Sequence, residues 1–363
     1  MKIFEISNAT NYSGGVAQMI FLSDTLSKKN GFDISVICPP NSEIYRRSCA
    51  KKIVVDMGSQ ISAAVKLAKI VASEKPDIIH CHHPTAHNIA LIASYFVKIP
   101  VIMATRRVSF PIPKLPFYLL KYRLKKNKKL IAVSEKIKQN LLEIGVKPSK
   151  LTVIHSGTDC DKFNPNICGE EIRKEFNIPN DVKVICKIAN YSYWKGFNYF
   201  LDACKTVAKD VDKIHFLIVG YQTNNAELLK EVKDRRLEHK TTIAGFRDDI
   251  PQIIAASNIL INASIDGEGI SGAIREALAM EKSVVATNIG GNEEIVKNYG
   301  TGILIEPKNS SAISEAIMYF IKNPDEVKEM GKNGRKTVLE NFSVNAMVSK
   351  HEKLYGELMN GKS

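Results

Sequence analysis

Two carboxylates eight positions apart, Glu268 and Glu276, bracket a glycine-rich turn that follows the apolar run Ile259-Leu-Ile-Asn262. Read as strand, turn and helix, the stretch Glu268-Gly-Ile-Ser-Gly-Ala-Ile-Arg-Glu276 puts Glu268 at the C-terminal end of the strand and Glu276 in the first turns of the helix. Ligands of open α/β sheets bind beyond that strand end, and helix N-termini collect anions. Carboxylates beside an anion site are suited to the hydroxyls of a sugar or ribose whose phosphates lie on the helix. The pattern therefore predicts a nucleotide-sugar ligand. A purely structural alternative has Glu276 complementing the helix N-terminus and Glu268 capping the turn.

Elements able to position such a site alternate along the whole chain. Strand-like runs fall at Ile3–Ile6, Ile34–Cys38, Ile53–Val55, Ile78–His80, Val101–Ala104, Leu130–Val133 and Leu151–Ile154, then at Val184–Ala189, Ile214–Val219, Thr241–Ala244, Ile259–Asn262 and Ser283–Thr287. Helical stretches between them include Val16–Lys29, Ile61–Glu74, Ala86–Val97, Glu135–Ile144, Asn198–Lys209, Ala226–Arg235, Ile270–Met280 and Ser311–Lys322. Such alternation implies right-handed βαβ units on parallel sheets, and it runs twice, with loop chemistry at the seam over His155–Asn166. The expected fold is α/β: two doubly wound, Rossmann-like domains over residues 1–160 and 161–340, facing a central cleft. A helix over 341–363 is expected to pack back towards the first domain.

Composition narrows the class. The 363 residues, 44% apolar and 25% charged, fit two globular domains. No run of about 20 apolar residues occurs, and Met1-Lys2 leads straight into Ile3–Ile6, so neither a membrane span nor a signal peptide is expected. Seven cysteines without CxxC pairs point to a reducing, cytoplasmic setting rather than to disulfides or zinc. Charge is lopsided: residues 1–155 carry 24 Lys and Arg against 9 Asp and Glu, and the remainder 27 against 29. Only the first half is thus expected to face a polyanion, either an anionic membrane or nucleic acid.

Other residues carry weaker signals. Gly14-Gly15 follows the first strand and opens a helix, where backbone N–H groups can approach a phosphate or simply form a tight turn; the spacing is not GxGxxG. Three histidines, His80, His82 and His83, end a strand, with His87 in the next helix. No carboxylate is spaced with them as in a zinc motif, and Cys81 should point to the opposite face, so no metal site is expected. Arg106 and Arg107 end another strand, a placement suited to an anionic partner.

In order and spacing, Ser13-Gly14-Gly15-Val16, His80-Cys-His82-His83-Pro84, Ala132-Val-Ser134, Val153-Ile-His155-Ser-Gly157-Thr-Asp159, Lys195-Gly196, Val219-Gly220, the Glu268–Glu276 pair and Gly290-Gly291-Asn-Glu293-Glu294 resemble a GT-B glycosyltransferase of family 4, over essentially the whole length. The resemblance implies a retaining, nucleotide-sugar-dependent transferase without a metal at the diphosphate or any other cofactor. The C-terminal half would bind the donor and the N-terminal half a glycan or glycolipid acceptor, in lipopolysaccharide, capsule or other cell-surface glycan synthesis. On this reading Lys195 stabilises the leaving diphosphate and Glu268 lies by the transferred sugar. Glu276 holds the ribose, while Gly14, Gly15, Asn190, Gly220, Arg247, Gly269, Ile270 and Ser271 complete the donor site. The acceptor side takes His82, Arg106 and Arg107. Two departures stand out: Asn190 occupies the place of a usual arginine, which Lys187, Arg247 or an N-domain arginine would have to replace, and Arg107 that of a usual histidine.

The segment Lys114–Lys129 holds seven basic residues and no acidic one. As a helix it would group Leu115, Tyr118, Leu119 and Tyr122 on one face and Lys121, Lys125 and Lys128 on another, which suits either a buried amphipathic helix or peripheral attachment to an anionic leaflet. Nucleic acid is disfavoured because no recognised module accompanies the charge. Competing readings are a nucleotide-sugar epimerase of the same architecture, a dehydrogenase lacking its glycine fingerprint, and a basic two-domain membrane or RNA binder. Conversion of donor without acceptor would mark the first, an absorbance change with nicotinamide cofactor the second, and binding that survives mutation of both carboxylates the third. The donor site itself is tested by a thermal-shift panel of UDP-, GDP-, ADP- and TDP-sugars. One of them, at about 100 times its dissociation constant, should stabilise the wild type by about 2.7 kcal/mol and Glu276→Ala much less. Equal shifts in both proteins would reject the ribose assignment.

Overall fold

The structure, a computed structural model, describes residues 1–113 and 115–361. It divides into two units, Met1–Gly157 with the chain from Val344 onward, and Thr158–Ser343. Residues 362 and 363 of the expected C-terminal helix lie outside the described residues.

In the first unit seven strands form one sheet: β1 (Lys2–Ile6), β2 (Asp33–Cys38), β3 (Lys51–Val54), β4 (Ile78–Cys81), β5 (Val101–Arg106), β6 (Asn127–Ala132) and β7 (Leu151–Val153), in the order β3-β2-β1-β4-β5-β6-β7. Every pairing is parallel. A parallel sheet is covered by helices on both faces, which is why its strands read as continuous apolar runs. Alternate residues serve the two faces: Phe4, Ile6, Ile79 and Cys81 join one core, and Ile3, Val36, Ile78 and Met103 the other.

The second unit repeats the plan with β8 (Lys183–Ile188), β9 (Ile214–Val219), β10 (Thr241–Gly245), β11 (Ile259–Asn262), β12 (Ser283–Thr287) and β13 (Gly302–Ile305), in the order β10-β9-β8-β11-β12-β13 and again all parallel. In each sheet the order reverses once, between β1 and β4 and between β8 and β11. The chain leaves those strands on opposite faces there, which opens a crevice at their C-terminal ends.

The alternating runs anticipate every strand but β13, a four-residue strand beside β12. The larger correction concerns the basic segment. Its helix runs only from Pro116 to Arg123, and β6 begins at Asn127, so Lys125 and Lys128 share no helical face with Lys121. The buried Asn127 ends the helix: its Nδ2 donates to the carbonyls of Lys121 (2.7 Å) and Tyr122 (3.3 Å), and its Oδ1 accepts from His87 Nε2 (2.7 Å). Lys121 is itself buried, with Nζ donating to the Pro84 carbonyl at 2.6 Å, and burial lowers its pKa to about 8. Lys114 lies outside the described residues.

The C-terminal helix Val344–Asn360 belongs to the first unit, where Met347, Val348, Leu354 and Tyr355 complete the core around Ile3 and Ile78. The Tyr355 side chain is fully buried and its hydroxyl donates to Glu5 at 2.9 Å. Tyr355→Ala should therefore destabilise this unit by about 3–5 kcal/mol. Tyr355→Phe, which keeps the ring, should cost about 1–3 kcal/mol for the lost bond to a buried carboxylate. Denaturant unfolding would show equal, small losses if the hydroxyl and ring did not matter.

Candidate functional site

In the second unit the loops leaving β8 and β11 meet. The Ile265 N–H donates to the Trp194 carbonyl at 2.8 Å, and Gly196, at φ +61°, lies so close that a Cβ would stand 2.0 Å from the Ala263 carbonyl oxygen. Only glycine fits there. That contact brings Lys195 to Glu268: Nζ lies 2.6 Å from Oε1, with both side chains mostly buried (15% and 8% exposed), and 3.9 Å from the Trp194 ring centroid. The same Oε1 accepts from Ser264 Oγ (2.7 Å) and Asn262 Nδ2 (3.4 Å). Burial pushes the Glu268 carboxyl up, but the Lys195 ammonium and these hydrogen bonds outweigh it and hold the pKa below the ordinary value. Among the described residues no hydrogen bond reaches Oε2, which leaves that oxygen available to a hydroxyl.

The glycine turn after Glu268 is braced from β12. Gly290, at φ +60°, packs on the Glu268 carbonyl, where a Cβ would stand 2.0 Å away, and Gly291 N–H donates to the Gly269 carbonyl at 2.6 Å. The fully buried Asn292 accepts from the Ser271 N–H (3.3 Å) and donates to the Thr287 carbonyl (3.0 Å). Gly269, Ile270 and Ser271 thereby lead into the helix Gly272–Ala279, whose first N–H groups have no intrahelical acceptor. Glu276 lies one turn along, half-buried. Its pKa is raised by burial, with the charges of Arg275 and Lys162 opposing.

The remaining donor candidates divide. Asn190 Oδ1 accepts from the Tyr221 N–H (3.1 Å), and Gly220 donates to the Gly245 carbonyl (2.8 Å), so both tie strand ends together near the Lys195 loop. Arg247 is not drawn to the Glu268–Lys195 pair. It makes bidentate bonds to Glu175 (2.6 and 2.9 Å) and to Asp249 (2.8 and 2.6 Å), which neutralise it and raise its pKa further. Arg275 was not singled out by spacing. It is buried, braces the turn through the Ile270 carbonyl (3.3 Å) and reaches Thr158 Oγ1 (3.3 Å). Its position next to Glu276 was the available signal.

In the first unit the N-terminus of the helix Gly14–Leu26 is capped by Ser13, whose Oγ accepts from Val16 N–H at 3.3 Å. Gly14 faces open space, while Gly15 lies against Arg107 and His83. Arg107 donates to His82 Nδ1 (3.0 Å) and Ser156 Oγ (3.4 Å). Arg106 turns away, to the Phe110 carbonyl (2.5 Å) and the Tyr122 hydroxyl (3.3 Å).

Sequence spacing offers the histidines no carboxylate of zinc-motif type, but the fold brings one to them from another strand. Glu5, paired with His80 across β1 and β4, is fully buried, and its Oε2 lies 2.5 Å from His82 Nε2 and 3.1 Å from His80 Nδ1. Sequence spacing hides this contact because 75 residues separate the strands. Glu5, His80 and His82 place three ligand-type atoms within 4.8 Å of one another, but Tyr355, Thr105 and Arg107 engage the same groups. Burial pushes the Glu5 carboxyl up, and His80 and His82 more than offset it, holding the group ionised well below the ordinary range.

Comparison with known proteins agrees with this architecture. Residues 12–162 match the sequence model of Glycosyltransferase Family 4, and residues 169–337 that of the glycosyl transferases group 1. The UDP-Gal:alpha-D-GlcNAc-diphosphoundecaprenol alpha-1,3-galactosyltransferase of Escherichia coli is 26% identical, over 96% of this chain and 95% of its own. A glycosyltransferase crystal structure from Rickettsia africae ESF-5 matches with a TM-score of 0.88 at 27% identity, covering 99% of this chain and 98% of that one. Anabaena Alr3699/HepE in complex with UDP-glucose matches at 0.88 and 19%, covering 98% and 100%, a likeness of fold. The chain belongs to the family 4 glycosyltransferases of GT-B fold. It is a transferase.

The histidine cluster predicts acid sensitivity. Burial lowers the pKa of His83 to about 4 and of His87 and His351 to about 3, and that of His82 well below its ordinary 6.5. Each is thus neutral when folded but protonates when unfolded, so its stabilisation is complete above about pH 6.5 and is lost as pH falls. At about pH 5 a fully buried histidine such as His87 should cost on the order of 2 kcal/mol. Hydrogen exchange between about pH 7.5 and 5 should show the first unit opening before the second; simultaneous opening would contradict this.

Proposed function

We propose that this enzyme is a retaining glycosyltransferase that moves a sugar from a nucleotide-sugar to a hydroxyl of a glycan or glycolipid acceptor in cell-surface glycan synthesis, of lipopolysaccharide or capsule type. The observation that carries the reading is the Lys195–Glu268 pair, 2.6 Å apart in the loops that leave β8 and β11, with the N-terminus of the helix Gly272–Ala279 following in the same loop. Lys195 and the N–H groups of the Gly269–Gly272 turn, rather than a metal, would offset charge on the leaving diphosphate. Glu268 would present Oε2 to the sugar, and Glu276 would take the ribose hydroxyls.

The departing diphosphate oxygen would accept the proton of the acceptor hydroxyl as that hydroxyl attacks the anomeric carbon from the same face. A UDP-sugar donor is favoured by the E. coli relative, named for UDP-Gal, and by the UDP-glucose complex of HepE. The diphosphoundecaprenol in the former's name favours a lipid-linked acceptor. We assign acceptor handling to the first unit, around Arg107, with the buried His82 as the partner that orients it. Its excess of basic residues, with Tyr95, Phe96, Leu115 and Leu120 exposed, supports peripheral contact with the cytoplasmic face of an anionic membrane.

The test is release of UDP from UDP-sugars in the presence of lipid-linked acceptors, with the anomeric configuration of the product read by NMR. Glu268→Gln should lower turnover by roughly 10²–10³-fold while changing donor affinity little. Unchanged turnover would remove Glu268 from the chemistry, and an inverted product would reject the retaining mechanism.

A further inference from the structure

Lys187 sits where the interior of a sheet ordinarily holds an apolar side chain. It lies near the C-terminal end of β8, is 1% exposed, and packs with its Nζ 4.7 Å from the Phe197 ring centroid and 5.7 Å from that of Phe200. Its one hydrogen bond given by the structure runs to the carbonyl of Lys195, at 2.8 Å. A methionine would fill the same space without the cost of burying an ammonium, which is several kcal/mol per ion even after relaxation. Core packing therefore does not explain a lysine.

The charges around it do. The Lys195 ammonium is taken up by Glu268 at 2.6 Å, and Arg247 is neutralised by Glu175 and Asp249. At the strand ends two carboxylates, Glu268 and Glu276, are set against four cations, Lys187, Lys195, Arg275 and Lys162, with Arg275 acting electrostatically on both carboxylates and Lys162 on Glu276. Removing Lys187 would halve the positive excess of this group towards an incoming dianion. With Lys187 charged, the group carries two positive charges in excess, and that of Lys187 sits in surroundings dry enough for it to be felt several ångströms away.

We propose that Lys187 is a positioning residue for the donor diphosphate: its buried ammonium holds the Lys195 carbonyl, and with it the loop Tyr191–Gly196, and adds a buried positive charge to the excess that the diphosphate meets. This rests on the donor-site reading above. Asn190 brings no charge to the same loop, and so the cation comes from beneath it. Burial, and after it the charge of Lys195, lowers the Lys187 pKa to about 7, against the pull of Glu268, Cys204 and Cys186. Diphosphate binding favours the charged form. Affinity is therefore greatest below about pH 7 and declines as pH rises through that value.

The test compares the full-length wild type with Lys187→Met and Lys187→Gln. Affinities for UDP, GDP, ADP and TDP are measured by calorimetry, and those for the parent nucleosides by ligand-observed NMR. At about pH 6 the diphosphate that the wild type binds should bind each variant roughly tenfold or more weakly, with the nucleoside unaffected. The wild-type-to-variant ratio should shrink towards one as pH rises past about 7. That ratio cancels the titration of the nucleotide itself. Undiminished diphosphate binding, a ratio independent of pH, or parallel loss of diphosphate and nucleoside (a purely structural role) would each overturn the proposal. If the wild type binds none of the four, the donor-site reading falls, and this inference with it.

Discussion

Oxygen Oε1 of Glu268 gathers hydrogen bonds from Lys195, Ser264 and Asn262, which reach it from the loop after β8, the loop after β11 and the end of β11 itself. A buried ion pair contributes little net stability, because desolvating two charges offsets most of their attraction. Its consequence is geometric. Breaking it would leave a buried carboxylate short of partners, so the two loops hold one relative arrangement. Gly196 and Gly290 permit that arrangement by letting backbone approach backbone where any Cβ would collide. The turn 269–271 and the helix after it inherit their position from this contact.

The first unit places its own buried carboxylate, Glu5, at the corresponding reversal of strand order, and the comparison separates scaffold from site. Both Glu5 oxygens are taken, Oε1 by Tyr355 and Oε2 by His80 and His82. The cluster is closed, and it fastens the C-terminal helix to the sheet. Glu268 concentrates its partners on one oxygen and leaves the other open. Of the residues bonded to the closed cluster, Arg107 extends outwards, lying beside Gly15 at a helix N-terminus. It joins the scaffold to the surface on which an anion would rest.

Charge in the first unit has a more mixed use than its excess of Lys and Arg implies. Lys121 and Lys126 spend their ammonium groups on the carbonyls of Pro84 and Ser94, at the two ends of the helix Pro84–Ala93. Lys126 also lies 3.2 Å from the Tyr95 ring centroid. Cations of this kind stabilise connections between elements, and counting them as free surface charge overstates the field that a membrane would meet.

How much was legible follows from what each signal measures. Apolar periodicity reports burial, so every strand but β13 and the doubled α/β plan could be read directly, whereas the strand order with its reversals at β1/β4 and β8/β11 came only from the structure. The succession of strand, turn and helix around Glu268, Gly272 and Glu276 is local, and it could be read because the three are consecutive in the chain. Helix limits were less visible: the basic segment reads as one long amphipathic stretch, yet Asn127 closes its helix through contacts with Lys121, Tyr122 and His87. Partnerships across the sheet were not visible at all. Glu5 meets His82 and Lys195 meets Glu268 only because parallel strands distant in sequence lie side by side. The chain alone thus determined which elements form and which residue types stand at their ends; the tertiary structure decided which charges cancel, which stay open and which are buried, because those depend on distances that no spacing along the sequence encodes.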